Sequence, residues 1–148
     1  MKKYILILSA LTSILLFSIA CDKETIIQED QLPKNASEFI QIHFEGTTIA
    51  QVEKEKEGLS SHTYNVILKN GTKIKFDKNG NWLEVDALDG QSIATDFIHT
   101  AIKTYLNSNY KDIAVQSIEK DNNRFEVELV NGLDLLFNLD GNFIRIDN

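Results

Sequence analysis

Apolar and polar residues alternate through two stretches of the chain, and the two stretches match each other. The first runs from 64 to 86 and the second from 125 to 147, at an offset of 61 positions with no gap. Alternation of this kind predicts half-buried β-strands, and internal similarity at a fixed spacing indicates a repeated structural unit. The identical pairs are Val66/Val127, Leu68/Leu129, Asn70/Asn131, Gly71/Gly132, Phe76/Phe137, Gly80/Gly141, Asn81/Asn142 and Asp86/Asp147.

The first unit begins with a predicted helix. Pro33 suits the first turn of a helix, and the apolar residues that follow at helical spacing predict an amphipathic helix over 34–44. A loosely alternating strand over 49–55 comes next. Within the repeated stretch, Asn70-Gly71 predicts a tight hairpin, because both turn positions favour a positive φ. The unit is therefore predicted to be one helix followed by a four-stranded antiparallel meander.

The second unit repeats this order. A longer helix is predicted over 92–107, with strands near 113–121, 123–130, 133–138 and 142–147. Each half has only about 55 residues, which is marginal for independent stability. We therefore predict an α+β fold of two tandem repeats, each one helix plus a four-stranded antiparallel meander, with both helices packed on one face of a continuous sheet.

The N-terminus resembles a bacterial lipoprotein signal. A short basic start, Met1-Lys2-Lys3, precedes an apolar run that is short for a membrane span and ends in small residues before Cys21, the only cysteine. We predict lipidation of Cys21 and a location in the cell envelope, at the outer membrane on its periplasmic side or at the cell surface. An ordinary signal or an uncleaved anchor is the alternative. The predicted boundaries are 1–20 for the signal peptide, 21–31 for a flexible polar tether, 32–88 for repeat 1 and 89–148 for repeat 2.

The charge balance narrows the classes of partner. The chain carries 15 Lys and Arg against 22 Asp and Glu, a formal net charge of −7. Acidity argues against nucleic acid, whose phosphates need a basic surface, and against electrostatic binding to anionic lipid. We therefore expect no nucleic-acid partner, membrane contact through the lipid anchor only, and a monomer.

Short blocks of sequence spread over 32–147 form a recognisable set. They are Leu32-Pro33, Phe39-Ile40, His43-Phe44, Val52-Glu53-Lys54, 70–72, 76–82 and 125–133. These blocks resemble the PepSY-like family of small secreted proteins from gut Gram-negative anaerobes, whose fold is likened to beta-lactamase-inhibitor protein. The resemblance implies two helix-plus-sheet repeats and an envelope location. A role in inhibition or protein binding is implied only by analogy between folds.

The sequence contains no motif for a known catalytic or cofactor site. It has no CxxC pair, no HExxH motif, no Gly-x-Ser-x-Gly elbow and no phosphate-binding glycine loop. Asp77-x-Asn79-x-Asn81 matches only the start of a calcium loop, which also needs a glycine and a glutamate further on. The same residue types build an ordinary turn. We predict no enzyme activity, no cofactor and no metal site, including none from the scattered histidines, His43, His62 and His99.

Alternation also predicts which residues face away from the helices. Ile67 and Lys75 in the first copy and Leu136 in the second are placed on the open face of the sheet. In the last strand of each copy, Leu83/Val85 and Ile144/Ile146 are assigned to the core. That assignment puts aromatic and arginine side chains on the open face, where such residues favour partner binding. The predicted partner-binding residues are Ile67, Lys75, Trp82, Leu136, Phe143 and Arg145. In the alternative, Trp82 and Phe143 fold over the sheet edge and complete the core.

Three functional hypotheses of different classes follow. The first is a non-catalytic cell-envelope lipoprotein that binds an envelope protein or peptide through the open face of its sheet, in the manner of an inhibitor. The alternative is an envelope protein that sequesters a small ligand or ion, which requires a cavity between sheet and helices. A hydrolytic enzyme using clustered carboxylates ranks last, because the sequence shows no nucleophile–base pair or metal constellation.

Overall fold

Nine strands and two α-helices form the part of the chain that the computed structural model describes, residues 24–58 and 61–147. The helices are α1 (Lys34–His43) and α2 (Thr100–Asn109), and a short 3-10 helix occupies Glu29–Gln31. The prediction of an α+β fold is confirmed. The strands are β1 (Thr25–Ile27), β2 (Ile49–Glu57), β3 (Ser61–Leu68), β4 (Lys73–Phe76), β5 (Trp82–Asp86), β6 (Val115–Lys120), β7 (Arg124–Leu129), β8 (Asp134–Asn138) and β9 (Phe143–Asp147).

The strands pair in chain order into one open antiparallel sheet from β1 to β9. One row of paired residues crosses the sheet on the helix side: Ile27, Val52, Val66, Ile74, Val85, Ile118, Val127, Leu135 and Ile146. Most of this row is buried in one cluster with Ile40 of α1 and Ile102 of α2. Both helices therefore cover the same face, and the opposite face of the described sheet is open.

The strand pairing in the first half of the sheet is repeated in the second half, between residues that lie 61 positions further along the chain. Tyr64 pairs with Phe76 between β3 and β4, and Phe125 pairs with Phe137 between β7 and β8. In each half one helix precedes four consecutive strands: α1 precedes β2 to β5, and α2 precedes β6 to β9.

Two glycines allow turns to pack closely against the helix starts. Gly80, in the β4–β5 turn, has a φ of 82°, and a Cβ there would lie 2.7 Å from the main-chain nitrogen of Ala36. Gly141, in the β8–β9 turn, has a φ of 78°, and a Cβ there would lie 2.5 Å from Nδ1 of His99. Both the conformation and the close approach favour glycine, so these turns fix where each helix begins.

The start of α2 differs from the prediction. The helix was expected over 92–107, but it occupies Thr100–Asn109. Ile93 and Ile98 are buried, yet they reach the core from irregular chain ahead of the helix. His99 ends that segment as the N-cap, and its Nδ1 accepts a hydrogen bond from the N–H of Ala101 at 3.2 Å. Apolar spacing alone does not separate a helix from an irregular segment that packs on the same core.

The predicted tether contains regular structure. β1 pairs with β2 from Thr25–Lys54 to Ile27–Val52, and the 3-10 helix follows directly. Residues 25–27 and 29–31 of the predicted tether therefore form regular structure. Main-chain pairing orders this segment, although its side chains bury little and give no periodicity in the sequence. The predicted signal peptide and Cys21 lie outside the described residues. No helix within the described ranges is long and apolar enough to cross a membrane.

Candidate binding surface on the open face of the sheet

The open face consists of two rows of side chains that cross the sheet. One row is Ile26, Glu53, Asn65, Lys75, Glu84, Glu119, Glu126, Leu136 and Arg145. The adjacent row is Gln51, Ile67, Lys73, Asp86, Ser117, Glu128, Asp134 and Asp147. The lysines lie on β4, whereas carboxylates dominate from β5 onward. The second half of the open face is therefore strongly acidic.

Trp82 lies on the helix side of the sheet, so its predicted place on the open face is wrong. A β-bulge is the cause: Trp82 pairs with Phe76 and Glu84 pairs with Lys75, which leaves Leu83 as the extra residue. A bulge breaks the alternation of side chains along a strand. The indole ring packs at centroid distances of 5.3 to 6.5 Å from the rings of Phe39, Phe97 and Phe125.

Phe143 shows the same departure in β9, and its predicted exposure on the open face is also wrong. It pairs with Phe137, and a bulge makes Ile144 the extra residue. The Phe143 ring stacks on Tyr105 with a centroid distance of 4.6 Å and an interplanar angle of 10°. Ile144, which was assigned to the core, is 53% exposed. Phe143 and Trp82 thus pack against the core, as the alternative interpretation stated.

The other four predicted partner-binding residues lie on the open face, and three of them are accessible. Ile67 is half-buried, and the side chains of Lys75 and Arg145 are 32% and 58% exposed. Leu136 is only 2% exposed, so it is unavailable to a partner. It stands between Glu126 and Arg145 on the neighbouring strands, and the aliphatic stems of long charged side chains cover apolar neighbours.

Two cavities open along this face and share a wall. The first, termed the trough, has a volume of about 320 Å³ and lies over β3 and β4, where Ile67 and Lys73 line it. The second, termed the cleft, has a volume of about 700 Å³ and lies at the end of the sheet beside the β4–β5 turn. Lys75 and Glu84 line both cavities. The trough therefore lies on the open face, and the cleft adjoins it at the end of the sheet, where α1 also contributes Asn35 and Phe39 to the lining.

Three glutamates stand in line across β5, β6 and β7 at the acidic side of these two cavities. Glu84 pairs with Glu119, and Glu119 pairs with Glu126. Partial burial, followed by repulsion from Glu119 and Asp86, raises the pKa of Glu84 above its usual value. Burial also raises the pKa of Glu126, although Arg124 acts in the opposite direction. Like charges directly opposite each other destabilise a sheet, so this row favours a positively charged ligand.

The segment that resembles the start of a calcium loop forms a turn. Asp77 Oδ1 accepts hydrogen bonds from the main-chain N–H of Asn79 at 2.8 Å and of Asn81 at 2.9 Å. Burial works to raise the pKa of Asp77, but these hydrogen bonds and one from the Asn81 side chain outweigh it and lower the pKa. In the described ranges, no group of three or more His, Cys, Asp or Glu residues is placed to hold a metal ion.

Sequence reasoning missed the cleft and the glutamate row. Alternation correctly placed Glu84 and Glu126 opposite the apolar positions of their strands. It contains no information on which strands become neighbours across the connection through α2. Glu84 lies opposite Glu119, with the cleft beside them, because β5 pairs with β6. Predicting this arrangement would have required knowing which residues of β5 and β6 pair.

The sequence matches one family model, described as "Putative beta-lactamase-inhibitor-like, PepSY-like", over residues 18–60 and 62–145. A search of curated proteins finds no significant match.

Three solved structures of bacterial proteins share the fold. One, described as a "putative calcium-regulated periplasmic protein" from Bacteroides thetaiotaomicron, is 40% identical with a TM-score of 0.78, over 84% of this chain and 97% of that one. A periplasmic protein of the DUF2874 family from Bacteroides vulgatus is 37% identical with a TM-score of 0.80, over 86% and 99%. A second periplasmic protein from Bacteroides vulgatus, of unknown function, is 31% identical with a TM-score of 0.79, over 85% and 100%.

All three relatives are described as "putative" periplasmic proteins, which agrees with the expected cell-envelope location. Neither the family description nor the descriptions of the three structures names a catalytic activity. Because the family model covers most of the sequence and the relatives align over nearly their whole length, the chain belongs to the PepSY-like, beta-lactamase-inhibitor-like family.

Proposed function

We propose that this protein is a non-catalytic protein of the cell envelope that binds another protein or a peptide through the open face of its sheet. The observation that carries the proposal is the trough on the face that neither helix covers, together with the adjoining cleft, which shares the lining residues Lys75 and Glu84 with it. The description of the family as beta-lactamase-inhibitor-like supports binding to a protein rather than catalysis.

The chemistry of the trough suits a protein surface. Ile67 provides an apolar centre, and Lys73, Lys75 and Glu84 surround it. Lys75 is held in place by an ion pair with Glu57, whose carboxylate oxygen lies 3.2 Å from the lysine Nζ. Protein interfaces combine an apolar centre with a charged rim, which is the arrangement that these side chains form.

A crosslinking experiment tests this proposal. A photoreactive amino acid in place of Lys73 would be used to capture envelope proteins in living cells, with and without Ile67→Glu. We expect Ile67→Glu to abolish the crosslinked species, because a buried contact would acquire a charge. Ile42→Glu is the matched control, since Ile42 is 64% exposed and lies on α1, on the other side of the sheet. Equal capture by both variants, with unchanged melting temperatures, would contradict binding at the trough.

We also propose that Cys21 is lipidated and that the protein is an outer-membrane lipoprotein, on the periplasmic side or at the cell surface, and a monomer. The basic start, the apolar run and the single cysteine support this. Cys21→Ser should move the protein from the membrane to the soluble fraction and abolish its labelling with radioactive palmitate. Retention in the membrane would indicate an uncleaved anchor.

We further propose that the chain consists of two tandem repeats, each one helix plus a four-stranded meander. The shared offset of 61 positions in the sequence, and the same offset in the pairing of β3–β4 and β7–β8, support a duplication. Bulges at the equivalent residues Leu83 and Ile144 support it further, because an inherited unit keeps such irregularities.

Sequestration of an ion is the second candidate function. The description of one relative as calcium-regulated favours it, and the acidity of Glu84, Glu119 and Glu126 attracts cations even though the described residues contain no group placed to hold a metal ion. Titration with calcium chloride, followed by calorimetry, tests it. Saturable heat that is lost in Glu119→Gln would support this function over partner binding at the trough.

A further inference from the structure

The sheet splits at one end between β5 and β6. These strands pair only over 84–86 and 117–119, within the part of the chain that is described. The next position of the ladder would set Leu83 against Lys120, and that pair does not form. The bulge at Leu83 accounts for the split, because a bulge bends its strand. The cleft fills the gap, with Leu83 on one side and Lys120 on the other.

We propose that the cleft binds an extended segment of a partner protein in which basic and apolar residues alternate, and that this segment adds to the sheet as a strand. The inference rests on the proposed function and specifies the chemistry of the partner. Unpaired strand edges bind extended chains through main-chain hydrogen bonds. Leu83 and Lys120 provide such an edge, because the ladder between β5 and β6 stops before them.

The charges of the cleft select a basic segment. Glu84 and Glu119 stand directly opposite each other at the point where the strands part, and both line the cleft. Neither carboxylate has an ion pair or side-chain hydrogen bond among the described residues, whereas Lys75 nearby is paired with Glu57. A lysine or arginine of the partner placed between the two glutamates would therefore pair with both and remove their repulsion.

The opposite wall of the cleft selects apolar neighbours. Phe39 of α1 and Trp82 of β5 line it on the helix side, and their rings lie 6.5 Å apart. Successive side chains of a strand point to opposite faces. In a segment whose basic residue meets Glu84 and Glu119, the residues on either side of it point towards the two aromatic rings. The three residues at the site should thus read apolar–basic–apolar within an alternating segment.

Fluorescence of Trp82, the only tryptophan, reports on the cleft directly. The protein purified from cell envelopes would be titrated with the blocked peptide Lys-Ile-Lys-Ile-Lys, with Glu-Ile-Glu-Ile-Glu, and with a basic peptide N-methylated at alternate amides. We expect a saturable change with the first peptide only, since the second has the wrong charge and the third cannot complete the ladder. Equal binding of the N-methylated peptide would overturn strand addition, and the absence of a saturable change would overturn the proposal.

Two variants locate the site. Glu119→Gln should weaken binding of the basic peptide about tenfold, as expected for the loss of one charge-assisted contact. Glu128→Gln is the matched control, because Glu128 lies on the same open face but does not line the cleft. The affinity of this variant for the basic peptide should equal that of the unmodified protein. Equal weakening in both would mean that the general acidity of the face, rather than the cleft, attracts the peptide. Saturation by calcium chloride without any response to the peptide would identify a cation site and also overturn the proposal.

The peptide titration and the crosslinking experiment can fail independently, so they distinguish binding in the cleft from binding at the trough. If the peptide fails to bind but Ile67→Glu still abolishes crosslinking at Lys73, the open face binds a partner and the cleft is not the strand-binding element. If the peptide binds and no crosslink forms, the cleft acts without the trough.

Discussion

Glu84 lies at a position where burial and neighbouring carboxylates favour a neutral side chain. Burial, followed by repulsion from Glu119 and Asp86, raises its pKa above the usual 4.5. With a raised folded-state pKa, proton binding stabilises the fold; this stabilisation is complete below the unfolded pKa and is lost as pH rises through the folded pKa. We expect Glu84→Gln to increase the free energy of unfolding by about 0.2–1 kcal/mol at neutral pH.

Urea denaturation at neutral pH and below about pH 4 tests this expectation, because both Glu84 and its unfolded counterpart are largely protonated at the lower pH. The gain should therefore vanish there. Glu45→Gln, at an exposed position between α1 and β2, is the control and should change little. A gain that persists in acid would mean that glutamine packs better, not that it removes repulsion.

Gly80 illustrates a second constraint at the level of one residue, the approach of a turn to a helix. We expect Gly80→Ala to lower the free energy of unfolding by about 1–3 kcal/mol, because its φ is 82° and a Cβ would lie 2.7 Å from the nitrogen of Ala36. Gly46→Ala provides the control, since nothing lies within 4 Å of a Cβ there and its φ is not positive. Thermal unfolding of both variants measures the difference. Similar melting temperatures would show that the turn moves away from α1 at little cost.

The last strand of each half combines a bulge with an aromatic ring that packs on the core. Trp82→Ser and Phe143→Ser should each lower the free energy of unfolding by about 2 kcal/mol, roughly half the cost of removing a fully buried aromatic side chain. The reason is that both rings are half-buried against the helix-side core. Equilibrium denaturation measures each loss.

Ile144→Ser is the control for these two variants, because Ile144 is the extra residue of the β9 bulge and is 53% exposed. Its effect should stay within about 0.5 kcal/mol. If Trp82→Ser were equally mild, while still reducing peptide binding, Trp82 would serve the cleft rather than the core.

The elements that the sequence predicts well are those whose pattern is local. α1 begins at Lys34, as predicted, and β5 contains Leu83 and Val85, the residues that were predicted to lie in the last strand of the first unit, because turns and apolar spacing mark both elements. The bulge at Leu83 has no such mark, since it depends on how β4 and β5 are paired. That single extra residue reverses the predicted direction of Trp82, which is why the prediction assigned this ring to the wrong face of the sheet.

Across the whole molecule, the cleft depends on contacts that the sequence does not specify. The acidic charge and the envelope location follow from composition and the N-terminal pattern. The pairing of β5 with β6, however, brings together two strands that are separated by almost thirty residues of chain, 87–114, which include α2. Pairing between these strands stops at Glu84–Glu119, next to the bulge at Leu83. The sequence thus indicates residues of the open face but not the gap between β5 and β6 in which the cleft lies.

If Cys21 is lipidated, as proposed, the short distance in sequence between it and β1 would set the orientation of the protein on the membrane. Only residues 22–24 separate Cys21 from β1, so lipidated Cys21 would lie at most about 14 Å from Thr25. Thr25 pairs with Lys54 and lies at the end of the sheet that carries the β4–β5 and β6–β7 turns. The cleft opens at that end. A partner segment bound in the cleft would therefore lie close to the membrane.

Energy transfer to the bilayer tests this orientation. A donor dye would be attached to Lys78→Cys, in the β4–β5 turn, or to Asn131→Cys, in the turn between β7 and β8 at the opposite end, with acceptor dyes on lipid headgroups. We expect stronger transfer from position 78, because a short tether holds that end nearer the membrane. A flexible Gly–Ser linker inserted after Glu24 should remove the difference, since the domain would then tumble freely. Equal transfer from both positions without the linker would mean that the tether leaves the domain free, and stronger transfer from position 131 would reverse the orientation and move the cleft away from the membrane.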